Sequence, residues 1–125
     1  MAKVATTGLT ISGVPYGEDV KAGDLVGWSL GKLMLACGAA VNPVPAVGVA
    51  AAAYRSGEVG AVHLGGEVSG FTNLGVGDSQ YLSLTSPGTI QATPPSGSGN
   101  VMQVVGYGVS LTRLAVVIRD WGTYL

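Results

Sequence analysis

Two aspartates, one histidine and one cysteine are the side chains of this 125-residue chain with the best claim to chemistry. Asp24 and Asp78 each follow a glycine and lie 54 positions apart. Paired carboxylates are the equipment of general acid–base hydrolysis. Each of these two, however, sits in its own copy of a Gly-Asp turn, where aspartate hydrogen-bonds nearby backbone amides, so both read as turn-stabilising residues. His63 is the single histidine, between Val62 and Leu64. No Gly-x-Ser-x-Gly elbow supplies a nucleophile for it, and no His/Cys/Asp/Glu grouping provides the three or four ligands of a zinc site. It reads as a packed or rim residue of a strand. Cys37 has no second cysteine to bridge and lies among small apolar neighbours. It reads as a small buried hydrophobe of a chain made in a reducing cytoplasm. The Gly-rich stretch 64–70 carries no lysine and opens no helix, so it lacks the charge and the amide cradle of a phosphate loop. These residues assign no catalytic group, cofactor or metal, and the expectation is a protein that is not an enzyme.

The Gly-Asp turns belong to a longer pattern that occurs twice. The first copy runs from Val20-Lys21-Ala22-Gly23-Asp24-Leu25-Val26 through a turn at Ser29-Leu30-Gly31, an apolar run 32–36, Pro43-Val44-Pro45 and Val47-Gly48-Val49-Ala50. The second runs from Leu74-Gly75-Val76-Gly77-Asp78-Ser79-Gln80-Tyr81 through Ser86-Pro87-Gly88, then 89–92, Pro94-Pro95 and Val104-Val105-Gly106-Tyr107-Gly108. Two units in one order, residues 20–64 and 74–118, indicate a duplicated structural domain. Glycine or proline interrupts most windows before a third helical turn can form. Short β-like runs between turn signals remain, at 24–28, 32–36, 47–53, 58–64, 80–85, 89–93, 102–109 and 111–119. The last has apolar residues on both faces and is expected to be a central strand. In 80–85, Leu82 and Leu84 fall on one face and Tyr81, Ser83 and Thr85 on the other. Ser86-Pro87-Gly88-Thr89 has the residues of a type II turn. Residues 50–54 are alanine-rich enough for one helical turn, and 94–100 read as a polar, flexible loop. The fold class is therefore all-β: a compact β-barrel or sandwich of two similar half-units with at most one short helix.

Charge and hydropathy narrow the partners. Charged residues make up 10% of the chain, against about 25% in an ordinary domain. Six basic and seven acidic side chains leave a net charge of −1. No basic stripe marks a nucleic-acid surface. The longest small-apolar run, 46–53, is far short of the roughly 20 residues of a membrane-spanning helix, and the N-terminal residues lack the apolar core of a secretory signal. Sparse charge with positive mean hydropathy fits either a small-residue-rich chain of modest solubility or, the favoured reading, a surface partly covered by other subunits. Residues 1–15 precede the first repeat, leaving 16–125 as the β domain. They form either an extended arm that adds a strand to a neighbour or the first edge strand.

Two resemblances follow from these strings. Val20-Lys21-Ala22-Gly23-Asp24-Leu25-Val26 resembles the strand-turn element of biotinyl and lipoyl carrier domains, whose modified lysine sits in a tight hairpin. Lys32, in Leu30-Gly31-Lys32-Leu33-Met34, departs from that pattern on its N-terminal side, and the second copy has no hairpin lysine. A broader match covers most of residues 17–120. Gly23-Asp24-Leu25-Val26, Val47-Gly48-Val49-Ala50, residues 57–62, residues 77–83, Ser86-Pro87-Gly88-Thr89-Ile90 and residues 104–110 resemble the bacteriophage capsid decoration, or head cement, proteins. These strings are strand-and-turn grammar rather than catalytic signatures.

That resemblance implies a structural virion protein, made in the host cytoplasm, that binds the outside of an assembled capsid and holds adjacent capsomers together. The implied partner is the major capsid protein, and the implied state is a homo-oligomer, most simply a trimer. Partner-binding residues are expected at Val4, Leu9 and Ile11 in the N-terminal segment and at Trp121 and Tyr124 near the other end. The alternative is a phage tail-fibre or receptor-binding module, which uses similar Gly-Asp and Pro-Gly grammar; a carrier domain is a remote third.

Overall fold

The computed structural model describes residues 4–6, by backbone alone, together with 9–120 and 122–125. The described residues form thirteen strands: β1 Val4–Thr6, β2 Thr10–Pro15, β3 Leu25–Ser29, β4 Lys32–Leu35, β5 Gly48–Ala50, β6 Val59–His63, β7 Gly66–Ser69, β8 Ser79–Leu82, β9 Ile90–Gln91, β10 Val101–Met102, β11 Val104–Gly108, β12 Arg113–Val116 and β13 Thr123–Tyr124. They make a five-stranded sheet of order β2-β6-β5-β3-β4, a six-stranded sheet of order β1-β7-β12-β11-β8-β9, and the pair β10-β13. All strand pairings are antiparallel. The two large sheets pack as a sandwich without closing into a barrel.

The duplication is visible in the strand orders. Numbered within its own half, each sheet reads first-fifth-fourth-second-third, with β2 to β6 matched by β7, β8, β9, β11 and β12. The two Gly-Asp turns are built alike. Asp24 N–H donates to Lys21 O and Asp78 N–H to Gly75 O, both at 3.1 Å. Gly23 and Gly77 occupy the same left-handed conformation, with φ of 83° and 81°, which a side chain would strain. Gly23 N–H donates to Ala50 O, which returns a bond from Ala50 N–H to Asp24 O. Gly77, Gly108 and Asp78 repeat this exchange. The turns thus fix β3 against β5 and β8 against β11 in one register.

Packing then distinguishes the halves. One cluster lies between the sheets and joins Leu25, Ala36, Ala46 and Val49 of the first half to Val68, Leu82, Val105, Leu114 and Val116 of the second. Burying each such large aliphatic side chain contributes about 1.5–3 kcal/mol. A second cluster, of Val14, Tyr16, Val20, Val26, Leu33, Ala50 and Val62, covers the other face of the five-stranded sheet from residues of the first half alone. Along one side the sheets are stitched by main chain: Leu25 N–H donates to Gly88 O, Gly88 N–H to Ala36 O and Gly38 N–H to Ser83 O. The buried Gln103 amide accepts from Ala46 N–H at 2.8 Å and donates to Ala46 O and Asp120 O at 2.9 and 2.8 Å.

Several local expectations are corrected. No helix occurs among the described residues; at 50–54 the chain bends, and Val20 and Tyr54 exchange main-chain bonds that hold it flat on the sheet. The run 80–85 stops at Leu82 because Ser83 Oγ accepts from the N–H groups of Thr85 and Ser86, turning the backbone out of the ladder. Ser83 is consequently buried rather than outward-facing. The return strand spans only Ile90–Gln91. The loop 94–100 is pinned: Asn100 donates to Ser96 O and accepts from Ala40 N–H, while Gly99 and Asn100 bond Leu125. The type II turn stands, with Gly88 at φ 83° and Thr89 N–H bonded to Ser86 O. The strand Arg113–Val116 lies between β7 and β11, as its two apolar faces indicated.

Within residues 1–15, the two described segments are edge strands of the chain's own sheets. The strand β1 pairs with β7 at the edge of the six-stranded sheet, and β2 pairs with β6 at the edge of the five-stranded sheet. Deleting residues 1–12 is therefore expected to lower stability by several kcal/mol, at about 1 kcal/mol net per ladder hydrogen bond lost; urea unfolding of the truncated and full chains measures it. A second outcome concerns the β3–β4 hairpin, whose two-residue tip has Leu30 at φ 53° and Gly31 at φ 77°, the type I′ geometry that favours Asn-Gly. A left-handed leucine costs about 1–2 kcal/mol. Leu30→Asn is expected to raise the melting temperature by about 3–5 °C.

Candidate interaction surface

The residues with possible chemistry are occupied by structural bonds. Asp24 Oδ2 accepts from Lys21 N–H at 2.9 Å, closing its own turn. Gly75 leaves room for the Asp78 carboxylate, which would meet any β-carbon placed there. The buried His63 has Nδ1 2.7 Å from Thr10 Oγ1, on the edge strand β2. Cys37 Sγ contacts Leu84 O at 3.7 Å. Lys32 falls after the hairpin tip rather than on it and leans over Gly17. Among the described residues no three His, Cys, Asp or Glu side chains gather as a metal site, and no helix is long and apolar enough to cross a membrane.

One buried polar arrangement is specific to the first half. The Tyr16 and Tyr54 rings stack at 4.7 Å over the five-stranded sheet. Tyr16 O–H donates to Ala61 O at 2.7 Å, and Ala61 N–H donates to Tyr54 Oη at 3.0 Å. Both main-chain groups of Ala61 are thus satisfied by phenols. Burial, with the Tyr54 phenol beside it, pushes the Tyr16 hydroxyl far above its ordinary range.

The surface presents several large apolar side chains. Leu30 is fully exposed at the hairpin tip, and Trp28, Val41, Val59, Val76, Val104, Tyr107 and Leu111 are exposed elsewhere. Of the expected partner-binding residues, Val4, Ile11 and Tyr124 lie in three different sheets. Leu9 and Ile11 are exposed at the β2 edge; Tyr124 is exposed in β13, opposite Val101. The backbone of Val4 pairs with Ser69, and its side chain, like all of Trp121, lies outside the described residues.

Sequence reasoning missed the outer face of the six-stranded sheet. Ser79, Tyr107, Ala115 and Glu67 form one row across β8, β11, β12 and β7, on the side away from the inter-sheet cluster. Beside this row lies a groove of about 340 Å³ bordered by Met102, Val104, Tyr107 and Val117, with Arg119 and Asp120 also in its lining. Arg113 Nη1 and Glu67 Oε1 pair at 3.0 Å on the same face, a contact worth under about 1 kcal/mol at such exposure. Alternation in 104–108 was the available signal, but a bulge between Val104 and Gly106 shifts it. No known protein family and no curated protein matches the chain.

The Tyr16 phenol sets a pH dependence. Its folded-state affinity for the proton exceeds that of an unfolded tyrosine, which titrates near pH 10. Above that pH the unfolded state releases a proton that the folded state keeps, so stability falls as pH rises and is unaffected below it. The expected slope from this group approaches about 1.4 kcal/mol per pH unit. Tyr16→Phe should lose about 1 kcal/mol at neutral pH and flatten the alkaline slope, as read by chemical unfolding from pH 8 to 12.

Proposed function

We propose that this protein is a structural component of a phage particle that binds the outer surface of the assembled capsid and strengthens contacts between capsomers. The observation that carries the reading is a duplicated sandwich that holds large apolar side chains out in water. Leu30, in a strained left-handed conformation, is the extreme case. Backbone strain and exposed apolar area are both retained where a partner removes the cost. The similarity of the Gly-Asp and Pro-Gly strings to head cement proteins supports the same reading. On it, the partner is the major capsid protein, the location is the capsid exterior, and the working state is a homo-oligomer, most simply a trimer.

The physical role follows from linkage. A protein that binds the assembled lattice and not its dissociated subunits stabilises the lattice by mass action, by about 2.7 kcal/mol per site at a hundredfold excess over Kd. Several copies acting on neighbouring capsomers multiply the effect through effective concentration. Capsids assembled without the protein are expected to bind it on addition and to rupture at a higher temperature. Leu9→Asp and Tyr124→Ala, at exposed positions, should weaken capsid binding while leaving the melting temperature of the free protein within a degree or two. Capsids that neither bind the protein nor change their rupture temperature overturn the proposal.

A further inference from the structure

The duplication indicates what covers the open sheet face. The paired row Leu25–Val49–His63–Thr10 of the five-stranded sheet occupies the ladder positions held in the other sheet by Ser79–Tyr107–Ala115–Glu67. On the reverse faces, Trp28, Val62 and Ile11 correspond to Leu82, Leu114 and Val68. Inside one molecule the first sheet presents Leu25 and Val49 to Leu82, Leu114 and Val68 of the second. The two halves therefore join through unlike faces. One copy of each face is left over: the Tyr107 face at one end and the Ile11–Trp28 face at the other.

Exposure marks the flanks of these leftovers, while Val62, the counterpart of Leu114, is buried under the first half's own cluster. Leu82 and Val68 are 0% and 1% exposed, whereas their counterparts Trp28 and Ile11 are 43% and 44% exposed. Val49 is 1% exposed and its counterpart Tyr107 is 44% exposed. Tyr16 and Tyr54 cap the centre of the first face, above Ala61, so its free apolar surface lies on the flanks, with Leu30 projecting beyond Trp28. The groove beside Tyr107 is of a size to receive such side chains.

We infer that the two leftover faces bind each other between molecules: the Tyr107 face of one copy packs against the exposed Ile11–Trp28 flanks of a second, bringing together the same two unlike faces that join the halves of a single chain. The contact is head to tail, since each molecule offers a different patch at each end, and such contacts close into rings or run on as filaments. It deepens the oligomer of the preceding reading by naming the contact, while its support, the matched ladders, is independent of the capsid.

The test uses Trp28→Glu and Tyr107→Glu in the full chain, each confirmed folded by circular dichroism, with Trp28→Ser and Tyr107→Ser as milder substitutes if a charge disturbs folding. Sedimentation across a concentration series should show the wild type growing beyond a monomer. Each variant alone should associate at least about thirtyfold more weakly, the scale of a central aromatic anchor. An equimolar mixture of the two should form a one-to-one heterodimer that grows no further, because one variant retains the head and the other the tail. A wild type still monomeric at about 1 mM, where association would be too weak to assign, overturns the inference. So does a Trp28→Glu variant that associates like the wild type, or a mixture without heterodimer. No capsid is present in these measurements, so failure of self-association and failure of capsid binding are told apart.

Discussion

Like-with-unlike stacking is the constraint on which the rest of this structure depends. Two sheets with one strand order could pack through the same face of each, and a closed, symmetric sandwich would result. Here the face bearing Leu25 and Val49 meets the face bearing Leu82, Leu114 and Val68. Each half then faces a different environment despite its shared ladder. The first must cover its reverse side alone, with Val20, Tyr16 and Tyr54, and the second does not. The apolar cluster confined to the first half and the open row at Tyr107 both result from that single choice.

The turn chemistry was legible in the amino-acid sequence because it is local. Gly23-Asp24 and Gly77-Asp78 need only their own backbone and one crossing strand, and Pro87-Gly88 needs less. The all-β class and the central position of Arg113–Val116 followed from that punctuation and from alternation, whereas repeat units begun at residues 20 and 74 left out the matched first strands β2 and β7. What alternation cannot supply is the identity of the covered side. Val49 and Tyr107 hold the same place in their ladders, and only the way the halves stack buries one and exposes the other. For the same reason Trp28 and Tyr107 were not among the expected surface residues. Ser83 escaped for a different reason: a hydroxyl competing for two amides ended a strand whose hydrophobic pattern ran on.

Polar groups inside the sandwich are few and each is matched. Among the described residues no buried side-chain nitrogen or oxygen is left without a partner. Gln103 does this at the join between the halves, and the Tyr16–Tyr54 pair does it at Ala61. Unsatisfied groups in such places cost about 1–3 kcal/mol each. These contacts fix orientation where apolar packing alone tolerates sliding.

The path of the first fifteen residues has a consequence for how the molecule is made. The strand β1 belongs to the six-stranded sheet and β2 to the five-stranded one, and the partner of each lies far later in the chain. Val4 has its ladder partner at Ser69, and Thr10 has its partner at His63. During synthesis the start of the chain must wait for more than half of the protein to emerge before it can be paired. Closure over such separations is entropically slow. Until then, the edges of β6 and β7 stand open to any other strand nearby. In a crowded cell, the rate at which this first segment crosses and docks sets how long a half-built sandwich remains vulnerable to pairing with the wrong chain.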